Sequence, residues 1–191
     1  GPDKKAVASS FSRAATSYDS VAQLQRDVGE RLLARLPAGG PAAAVVLDLG
    51  CGTGYFRAGL SARFGGATYI GLDLAPGMVE YARGRAAYEG LWLVGDAEAL
   101  PLAPGSVDLA FSSLAIQWCQ RPELFFTELA RVLKPGGRCV FTTLGPETLR
   151  ELRLSWAAVD QRQHVNRFLP PGDLLAAAAG VRGIDLTLES E

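Results

Sequence analysis

Three aspartates stand out in this sequence because each lies at or near the end of a short apolar run. Asp48 falls in the run 44–49, and glycines with single-residue spacing follow it at Gly50, Gly52 and Gly54. Glycine lets a backbone approach a ligand closely and adopt φ angles that other residues avoid. This strand, turn and following helix therefore predict a ligand site at the end of the first strand.

The spacing of the glycines argues against a phosphate ligand. Dinucleotide sites use a GxGxxG turn, whereas this turn is GxGxG and has Tyr55 at the position of the expected third glycine. Asp48 would also repel a pyrophosphate, but its carboxylate can pair with an ammonium group. An amino acid joined to a nucleoside, as in S-adenosylmethionine, has an ammonium group and no phosphate. The structural alternatives are tight packing of strand on helix, and Asp48 as a helix cap.

Two further aspartates follow the next two predicted strands. Asp73 lies 19 residues after Gly54, and a carboxylate there can accept hydrogen bonds from both hydroxyls of a ribose. Asp96 can accept a hydrogen bond from an adenine amino group, while the amide of Ala97 contacts the ring. Open α/β sheets bind ligands at the carboxyl ends of their strands, so three acidic strand ends in order predict a site for an amino-acid nucleoside. Asp96 could instead form a turn before Pro101.

Short apolar runs alternate with helical patterns along the middle of the chain, which indicates βαβ units. The predicted strands are 44–49, 67–72, 91–94, 107–112 and 138–143, and the predicted helices are 4–36, 55–64, 76–88 and 122–133. We therefore predict an α/β fold, a doubly wound (Rossmann-like) and mostly parallel sheet with flanking helices.

Four segments of the chain have different predicted roles. Residues 1–40 form an N-terminal helical segment that covers the active site, and 41–145 form the cofactor-binding core. Residues 146–180 form a helical lid inserted after the fifth strand, with helices at 146–161 and 174–179. Residues 181–191 begin a C-terminal strand region, and we expect a further C-terminal portion beyond them.

Composition excludes several classes of protein. The net charge of −1 gives no reason to expect nucleic acid as the main partner. Cys51, Cys119 and Cys139 form no CxxC pair, and with His164 as the single histidine they predict neither a disulfide set nor a metal site. No apolar run approaches the ~20 residues that span a bilayer. We expect a cytoplasmic protein, monomeric and without a membrane partner.

Several segments resemble the class I methyltransferase family in its type 11 form. They are DLGCGTG, GLDLAPGMVEYAR, GDAEALPL, VDLAFSSLAIQW and ELARVLKPGGR, within residues 45–138. The resemblance implies S-adenosyl-L-methionine as cofactor and S-adenosyl-L-homocysteine as product. It assigns the cofactor contacts to Asp48, Gly50, Cys51, Gly52, Gly54, Asp73, Leu74, Met78, Asp96, Ala97 and Ser112. We expect Cys51 to be a small apolar filler and not a nucleophile.

The flanking segments resemble one branch of that family, the malonyl-[acyl-carrier protein] O-methyltransferases of biotin synthesis. They are KKAVASSFSRAATSYDSVAQLQRDVGERLLARL, LAIQWC, FTTLGPETLRELRLSWAAVD and HVNRFLPPGDLL. This resemblance implies methyl transfer to the free carboxylate of a malonyl thioester. A carboxylate is already ionised at pH 7, so the reaction needs no general base.

A carboxylate substrate needs a cation and hydrogen-bond donors. We expect Arg167 to anchor the malonyl carboxylate and His164 to donate to it or to the thioester carbonyl. Tyr18 would close the pocket from the other side, and Gln117 and Trp118 would lie near the transferred methyl. Each has a structural alternative: an ion pair of Arg167 with a nearby aspartate, a helix cap at His164, and core positions for Tyr18 and Trp118.

The resemblance also implies a partner, an acyl-carrier protein that bears malonyl-phosphopantetheine. Carrier proteins are acidic, and residues 1–40 and 131–167 have net charges of +2 and +4. Arg150 and Arg153 are the candidate docking residues, and an ordinary solvated helix face is the alternative.

Three rival functions remain open at this stage. One is methylation of another small acceptor, such as a different carboxylic acid or a quinone ring. The second is a methyltransferase-like assembly factor or hydroxylase, and the third is a binding module that keeps the fold without catalysis.

Overall fold

The computed structural model describes residues 3–6, 8, 19–36, 44–85, 90–113, 115, 119–142 and 171–183. Its strands are β1 Val45–Leu49, β2 Thr68–Asp73, β3 Leu91–Val94, β4 Val107–Ser113 and β5 Leu133–Thr142. Its longer helices are α1 Asp19–Ala34, α2 Arg57–Arg63, α3 Pro76–Arg85, α4 Pro122–Val132 and α5 Pro171–Ala179. In the described part of the chain, no helix is long and apolar enough to cross a membrane.

The five strands form one parallel sheet in the order β3-β2-β1-β4-β5. The chain builds outward from β1 to β3 and then crosses back, so β4 lies on the other side of β1. Strand order therefore reverses at β1, and open α/β sheets bind ligands beside such a reversal. This fold confirms the predicted doubly wound α/β class, whereas the proposed lid at 146–161 lies outside the described residues.

The two faces of the sheet are covered by different helices. On one face, Phe125, Phe126 and Leu129 of α4 and Leu174 of α5 are buried against the sheet. The other face is covered by α1, α2 and α3, with buried contacts at Leu32, Leu33, Leu60, Phe64, Val79 and Ala82. Helices on both faces leave the two ends of the strands as the open edges of the sheet. The strands themselves are apolar because both of their faces are buried.

The predicted bounds of the first four strands agree with the structure to within one residue at each end. The fifth strand begins earlier than predicted, at Leu133 and not at Arg138. The register explains the difference, since Val107 pairs with Leu133 but Leu109 pairs with Arg138. Residues 134–137 therefore form a bulge within the strand, and Gly136 at its tip has a φ of 79°.

One carboxylate fastens the strands together at the amino end of the sheet. Asp108 Oδ2 accepts the backbone N–H groups of Ala44 and Val45 at 3.0 and 2.8 Å and the ammonium group of Lys134 at 3.1 Å. The hydrogen bonds to Val45 and Lys134 lower the pKa of Asp108 despite the opposing effect of desolvation. This contact joins β1, β4 and β5 at the edge away from the three aspartates.

Candidate functional site

The glycine turn, residues 50–54, lies at the carboxyl end of β1. The N–H groups of Gly50 and Cys51 both donate to the carbonyl of Leu72, at 2.8 and 3.0 Å, which ties the turn to β2. Gly50, Gly52 and Gly54 have φ angles of 70°, 53° and 82°, a region that side chains with a Cβ rarely adopt. The sequence therefore needs glycine at these positions for the turn to close.

The three glycines differ in what surrounds them. A Cβ at Gly50 would lie 2.6 Å from the Ala115 side chain, and one at Gly54 would lie 2.7 Å from the Trp92 ring. A Cβ at Gly52 would meet nothing within 4 Å. Gly52 therefore borders open space, whereas its two neighbours are packed against the protein.

Asp73 closes the glycine turn from β2. Its Oδ2 accepts the N–H of Gly52 at 2.9 Å, and its Oδ1 accepts the N–H of Ala75 at 2.9 Å. Burial raises the pKa of Asp73, and the backbone N–H groups of Ala75, Gly52 and Leu74 partly offset that rise. A carboxylate has about four acceptor positions, so Asp73 keeps capacity for further donors such as hydroxyl groups.

Asp48 is buried, and the structure gives it a partner that the sequence analysis missed. The hydroxyl of Tyr69 donates to Asp48 Oδ2 at 2.6 Å. Burial raises the pKa of Asp48 to about 7; the hydrogen bond from Tyr69 opposes this, and the charge of Asp73 adds to it. Asp48 does not cap α2, because the N-cap position is Phe56 and has no side-chain cap.

The signal for the Tyr69 contact was present in the strand pattern. Asp48 pairs with Gly71 in the sheet, and Gly71 has no side chain to fill the space beside it. Tyr69 lies two residues earlier on the same face of β2. Its hydroxyl reaches across that space to Asp48, and Trp92 packs on the other side of Gly71.

The β3 turn, residues 95–99, carries the third aspartate. Asp96 Oδ1 accepts the N–H of Glu98 at 2.9 Å, and the Asp96 carbonyl accepts the N–H of Ala99 at 2.9 Å. These bonds confirm that Asp96 forms a turn. Its Oδ2 accepts the ammonium group of Lys4 at 2.7 Å, and Lys4 also contacts Glu98. Sequence analysis missed Lys4 and Glu98 because no local pattern links positions more than 90 residues apart.

The remaining predicted cofactor residues lie around the same edge of the sheet. Leu74 follows β2, and Met78 is in the first turn of α3. Ala97 is in the β3 turn and packs against the core. Ser112, at the end of β4, is 1% exposed, and its hydroxyl has no hydrogen-bond partner among the described residues. Buried polar groups are normally paired, so this hydroxyl is available to a ligand or to a part of the chain not described here.

Cys51 behaves as the apolar filler that the sequence predicts. Its thiol is 4% exposed, and burial raises its pKa well above the usual value, with the charges of Asp48 and Asp73 adding to the effect. A nucleophilic cysteine needs a lowered pKa. Among the described residues, no group of three or more His, Cys, Asp or Glu side chains is arranged to hold a metal ion.

The predicted substrate and docking residues lie outside the described residues. These are Tyr18, Gln117, Trp118, Arg150, Arg153, His164 and Arg167. The structure therefore brings together the residues assigned to the cofactor, and the assignments to the substrate remain predictions.

Comparison with known families is consistent with this arrangement. The model of the family described as "Methyltransferase domain" matches residues 47–141, which include the glycine turn and the three aspartates. A "Malonyl-[acyl-carrier protein] O-methyltransferase" of Methylococcus capsulatus is 53% identical over 87% of this chain and 62% of its own length. The corresponding protein of Serratia marcescens is 48% identical over 94% of this chain and 69% of its own.

A longer relative also contains this segment. The "Biotin biosynthesis bifunctional protein BioHC" of Cellvibrio japonicus is 54% identical over 87% of this chain and 33% of its own length. The chain thus spans about a third and just under two thirds of the lengths of the Cellvibrio and Methylococcus relatives.

Solved structures share the fold. An S-adenosylmethionine-dependent methyltransferase from Mesorhizobium loti is 37% identical, with a TM-score of 0.53 over 61% of this chain and 52% of its own. A methyltransferase described as SAM-dependent, from Thermotoga maritima, is 25% identical, with a TM-score of 0.64 over 89% and 77% of the two chains. With its glycine turn, acidic strand ends and curated relatives, the chain belongs to the malonyl-[acyl-carrier protein] O-methyltransferase family of S-adenosylmethionine-dependent methyltransferases.

Proposed function

We propose that the protein transfers a methyl group from S-adenosylmethionine to the free carboxylate of a malonyl thioester on acyl-carrier protein. The observation that carries the cofactor half of the proposal is the Asp73 carboxylate bonded to the Gly52 N–H at 2.9 Å. This contact places an acceptor for ribose hydroxyls directly beside a turn that has room for a ligand backbone. The acceptor half is supported by the names of relatives that are 43–53% identical to this chain.

The residues at this edge fit an amino-acid nucleoside. A Cβ at Gly52 would enter open space, and the buried Ser112 hydroxyl is an unused polar group at the neighbouring strand end. Asp48, Asp73 and Asp96 line the end of the sheet, so a di- or triphosphate would meet repulsion there. A ligand with an ammonium group, hydroxyls and an amino-substituted ring instead finds an acceptor for each donor.

Each acidic residue has a proposed partner on the cofactor. Asp48 would pair with the ammonium group, Asp73 with the ribose hydroxyls and Asp96 with the adenine amino group. The amide of Ala97 would contact the adenine ring, and Leu74 and Met78 would supply apolar surface beside it. Asp48 is already bonded to Tyr69 through Oδ2, so its other oxygen is the one available to the ligand.

The proposed chemistry asks little of the protein beyond orientation. When bound, S-adenosylmethionine supplies a methyl group on a sulfonium, a strong electrophile, and leaves as S-adenosylhomocysteine. A carboxylate oxygen forms the new bond to the methyl carbon, and the electrons of the broken bond pass to sulfur. Holding the two groups in line and excluding water can provide up to ~7–11 kcal/mol of the barrier.

The residues outside the described part of the chain would act on the malonyl group. Arg167 would hold the carboxylate, and His164 would donate to it or to the thioester carbonyl. Tyr18 would help to exclude water, while Gln117 and Trp118 would border the transferred methyl. Arg167 must leave one carboxylate oxygen exposed, because a fully paired oxygen is a poor nucleophile.

Cofactor binding is tested by titration calorimetry. S-adenosylhomocysteine should bind, and ATP should not, although ATP has the same adenosine group. Asp73→Asn should weaken S-adenosylhomocysteine by about tenfold or more, since it replaces a charged acceptor with a neutral amide. A folded protein that fails to bind S-adenosylhomocysteine would rule out the proposed cofactor.

The acceptor is tested with methyl-labelled S-adenosylmethionine and three carriers of the same malonyl group. Label should enter malonyl-acyl-carrier protein, while free malonate should receive almost none, and malonyl-coenzyme A reports the contribution of the carrier protein. Acetyl-acyl-carrier protein is the matched control, because it keeps the carrier and thioester but lacks the carboxylate. Label on acetyl-acyl-carrier protein would contradict carboxyl methylation.

The docking and anchoring residues are separated by kinetics. Arg167→Gln should lower kcat/KM for both malonyl thioesters, because it removes the carboxylate anchor. Arg150→Gln combined with Arg153→Gln should raise KM for the carrier-protein substrate and leave malonyl-coenzyme A unchanged, since rim charges act mainly on association. Equal effects on both substrates would exclude Arg150 and Arg153 as docking residues.

A further inference from the structure

The N-terminal segment contacts the β3 turn through a single lysine. Lys4 lies between two carboxylates, with its ammonium group 2.7 Å from Asp96 Oδ2 and in contact with Glu98 Oε2. The side chains of Lys4 and Glu98 are 20% and 9% exposed, so this is a partly buried contact. Burial alone would lower the pKa of Lys4, but the hydrogen bonds to Asp96 and Glu98 outweigh it and raise the pKa.

The contact forms part of a packed region. Residues 4–6 and 8 are helical, and Ala8 is 8% exposed, so the segment is packed against the protein beyond its one charged contact. Cys119 lies nearby: burial raises the pKa of its thiol to about 12, and the charges of Glu98 and Lys4 act on it in opposite directions. The N-terminal segment, the β3 turn and the residues before α4 therefore meet at one place.

Glu98 is the centre of that junction. Its Oε2 contacts Lys4, and its Oε1 accepts the N–H of Arg121 at 2.6 Å. Its own N–H donates to Asp96 Oδ1 at 2.9 Å. The conformation of the Asp96 carboxylate is thus set from two sides, by the backbone of Glu98 and by the ammonium group of Lys4.

We propose that Lys4 is a positioning residue of the cofactor site, whose ammonium group fixes the Asp96 carboxylate so that it accepts the adenine amino group. This inference rests on the proposed function, since it deepens the role assigned to Asp96. Asp96 has acceptor capacity left after its bonds to Lys4 and Glu98. Without Lys4, two carboxylates would face each other across the β3 turn without a cation, and repulsion would turn Asp96 away from its ligand.

The inference has a consequence for the N-terminal segment. If Lys4 and the adenine ring use the same carboxylate in compatible ways, docking of residues 3–8 favours cofactor binding. By thermodynamic linkage, cofactor binding must then favour docking of residues 3–8 by the same factor. The opposite arrangement, with Lys4 as a competitor for Asp96, would make each weaken the other.

The test is a titration of matched lysine variants with S-adenosylhomocysteine and with S-adenosylmethionine. Lys4→Gln should weaken both ligands by about five- to tenfold, and Lys4→Arg should restore most of the affinity. Lys5→Gln is the control, because it removes the same charge at an exposed neighbouring position. It should leave both affinities unchanged.

The two ligands separate positioning from bulk electrostatics. S-adenosylmethionine has one more positive charge than S-adenosylhomocysteine, but the two share the adenosine group. A positioning role weakens both equally, whereas loss of a like charge would strengthen S-adenosylmethionine relative to S-adenosylhomocysteine. Tighter binding by Lys4→Gln, or equal effects of Lys4→Gln and Lys5→Gln, would overturn the proposal.

Hydrogen exchange provides the second readout, one that general destabilisation does not reproduce. S-adenosylhomocysteine should slow amide exchange in residues 3–8 of the wild type and have little effect there in Lys4→Gln. Glu98→Gln keeps the acceptor for Arg121 and should lose part of the same protection, with a double variant less than additive. If the wild type binds S-adenosylhomocysteine without added protection of residues 3–8, the Lys4 inference fails and the proposed function stands.

Discussion

The glycine turn and the β3 turn both present carboxylates at the same edge of the sheet, but they are stabilised in different ways. At the glycine turn, Asp48 and Asp73 accept hydrogen bonds from Tyr69 and from backbone N–H groups of neighbouring strands. At the β3 turn, Asp96 accepts one from Lys4, 92 residues away in the chain. The first site is part of the sheet core, whereas the second depends on a contact between distant parts of the chain.

This difference separates two requirements of one ligand site. The glycine turn is built from packed glycines and buried acceptors, so its geometry depends on the stability of the whole sheet. The β3 turn is partly exposed and held by an ion pair, so it can change without unfolding the core. We therefore expect substitutions at the glycine turn to affect stability and binding together, and substitutions at the β3 turn to affect mainly binding.

The largest expected effect comes from Gly54→Ala. Its φ is 82°, and a Cβ there would lie 2.7 Å from the Trp92 ring, which is itself packed against Gly71 and Tyr69. We expect a loss of about 1–2 kcal/mol from the backbone and a further ~1–3 kcal/mol from overpacking, measured by urea unfolding. Binding of S-adenosylhomocysteine should also be lost.

Gly66→Ala is the matched control for that substitution. Gly66 has the same φ of 82°, but a Cβ there would meet nothing within 4 Å. It should cost only the backbone part, about 1–2 kcal/mol, and leave ligand affinity unchanged. Equal losses for the two variants would mean that packing against Trp92 does not constrain the turn.

The pH dependence of stability should reveal the buried Asp48. Because burial raises its pKa from 3.8 to about 7, the native state holds a proton that the unfolded chain has already released. The free energy of unfolding should therefore fall as pH rises from about 4 to 7, by at most about 1.4 kcal/mol per pH unit from this group. Asp73 has a raised pKa and acts in the same direction.

Asp48→Asn should remove its share of this slope in urea unfolding between pH 4.5 and 7.5. The affinity for S-adenosylhomocysteine should also rise with pH in the wild type, since the ammonium group pairs with the ionised form. A wild-type minus Asp48→Asn difference that is constant with pH would contradict the assignment.

A smaller effect is expected for Tyr69→Phe, which removes the donor at 2.6 Å from Asp48. Loss of a partner to a buried acceptor costs about 1–3 kcal/mol, and protonation of Asp48 should reduce that cost at low pH. Tyr81→Phe is the control, because Tyr81 is half-buried on α3 with its ring beside Arg85. Urea unfolding at pH 8 and at pH 5 should show the loss mainly at pH 8. A loss that is the same at both values would separate Tyr69 from the ionisation of Asp48.

The smallest expected effect is that of salt. Raising the salt concentration from 0.1 to 1 M shortens the Debye length from ~10 to ~3 Å, so it should weaken the Lys4 contact by less than about 1 kcal/mol. Amide exchange in residues 3–8 should accelerate, whereas the Gly50 and Gly52 amides should be unaffected. Equal acceleration at both turns would remove the distinction drawn between them.

Sequence reasoning was most successful where the information is local. Short apolar runs ending in Asp or Gly identified the strands, because both faces of a doubly wound sheet are buried and its ligand edge is polar. The bulge at 134–137 was missed because the chain continues to pair with β4 on both sides of Gly136, and a glycine pair reads equally well as a loop.

Contacts between distant residues were beyond that reasoning for a physical reason. The bond between Tyr69 and Asp48 depends on the register of β1 against β2, and that register is fixed only when the sheet assembles. Lys4 has no local signal at all, since its partners are defined by the position of the folded N-terminal segment. The assignments to His164 and Arg167 rest on resemblance and stay predictions.

The 92-residue separation between Lys4 and Asp96 has a consequence for synthesis of the chain. At about 5–20 residues per second, Lys4 leaves the ribosome roughly 5 to 18 seconds before its partner is made. During that interval β1, β2 and the glycine turn between them have already emerged. The first residues translated therefore make one of the later contacts, and a nascent chain that stops before residue 96 lacks it.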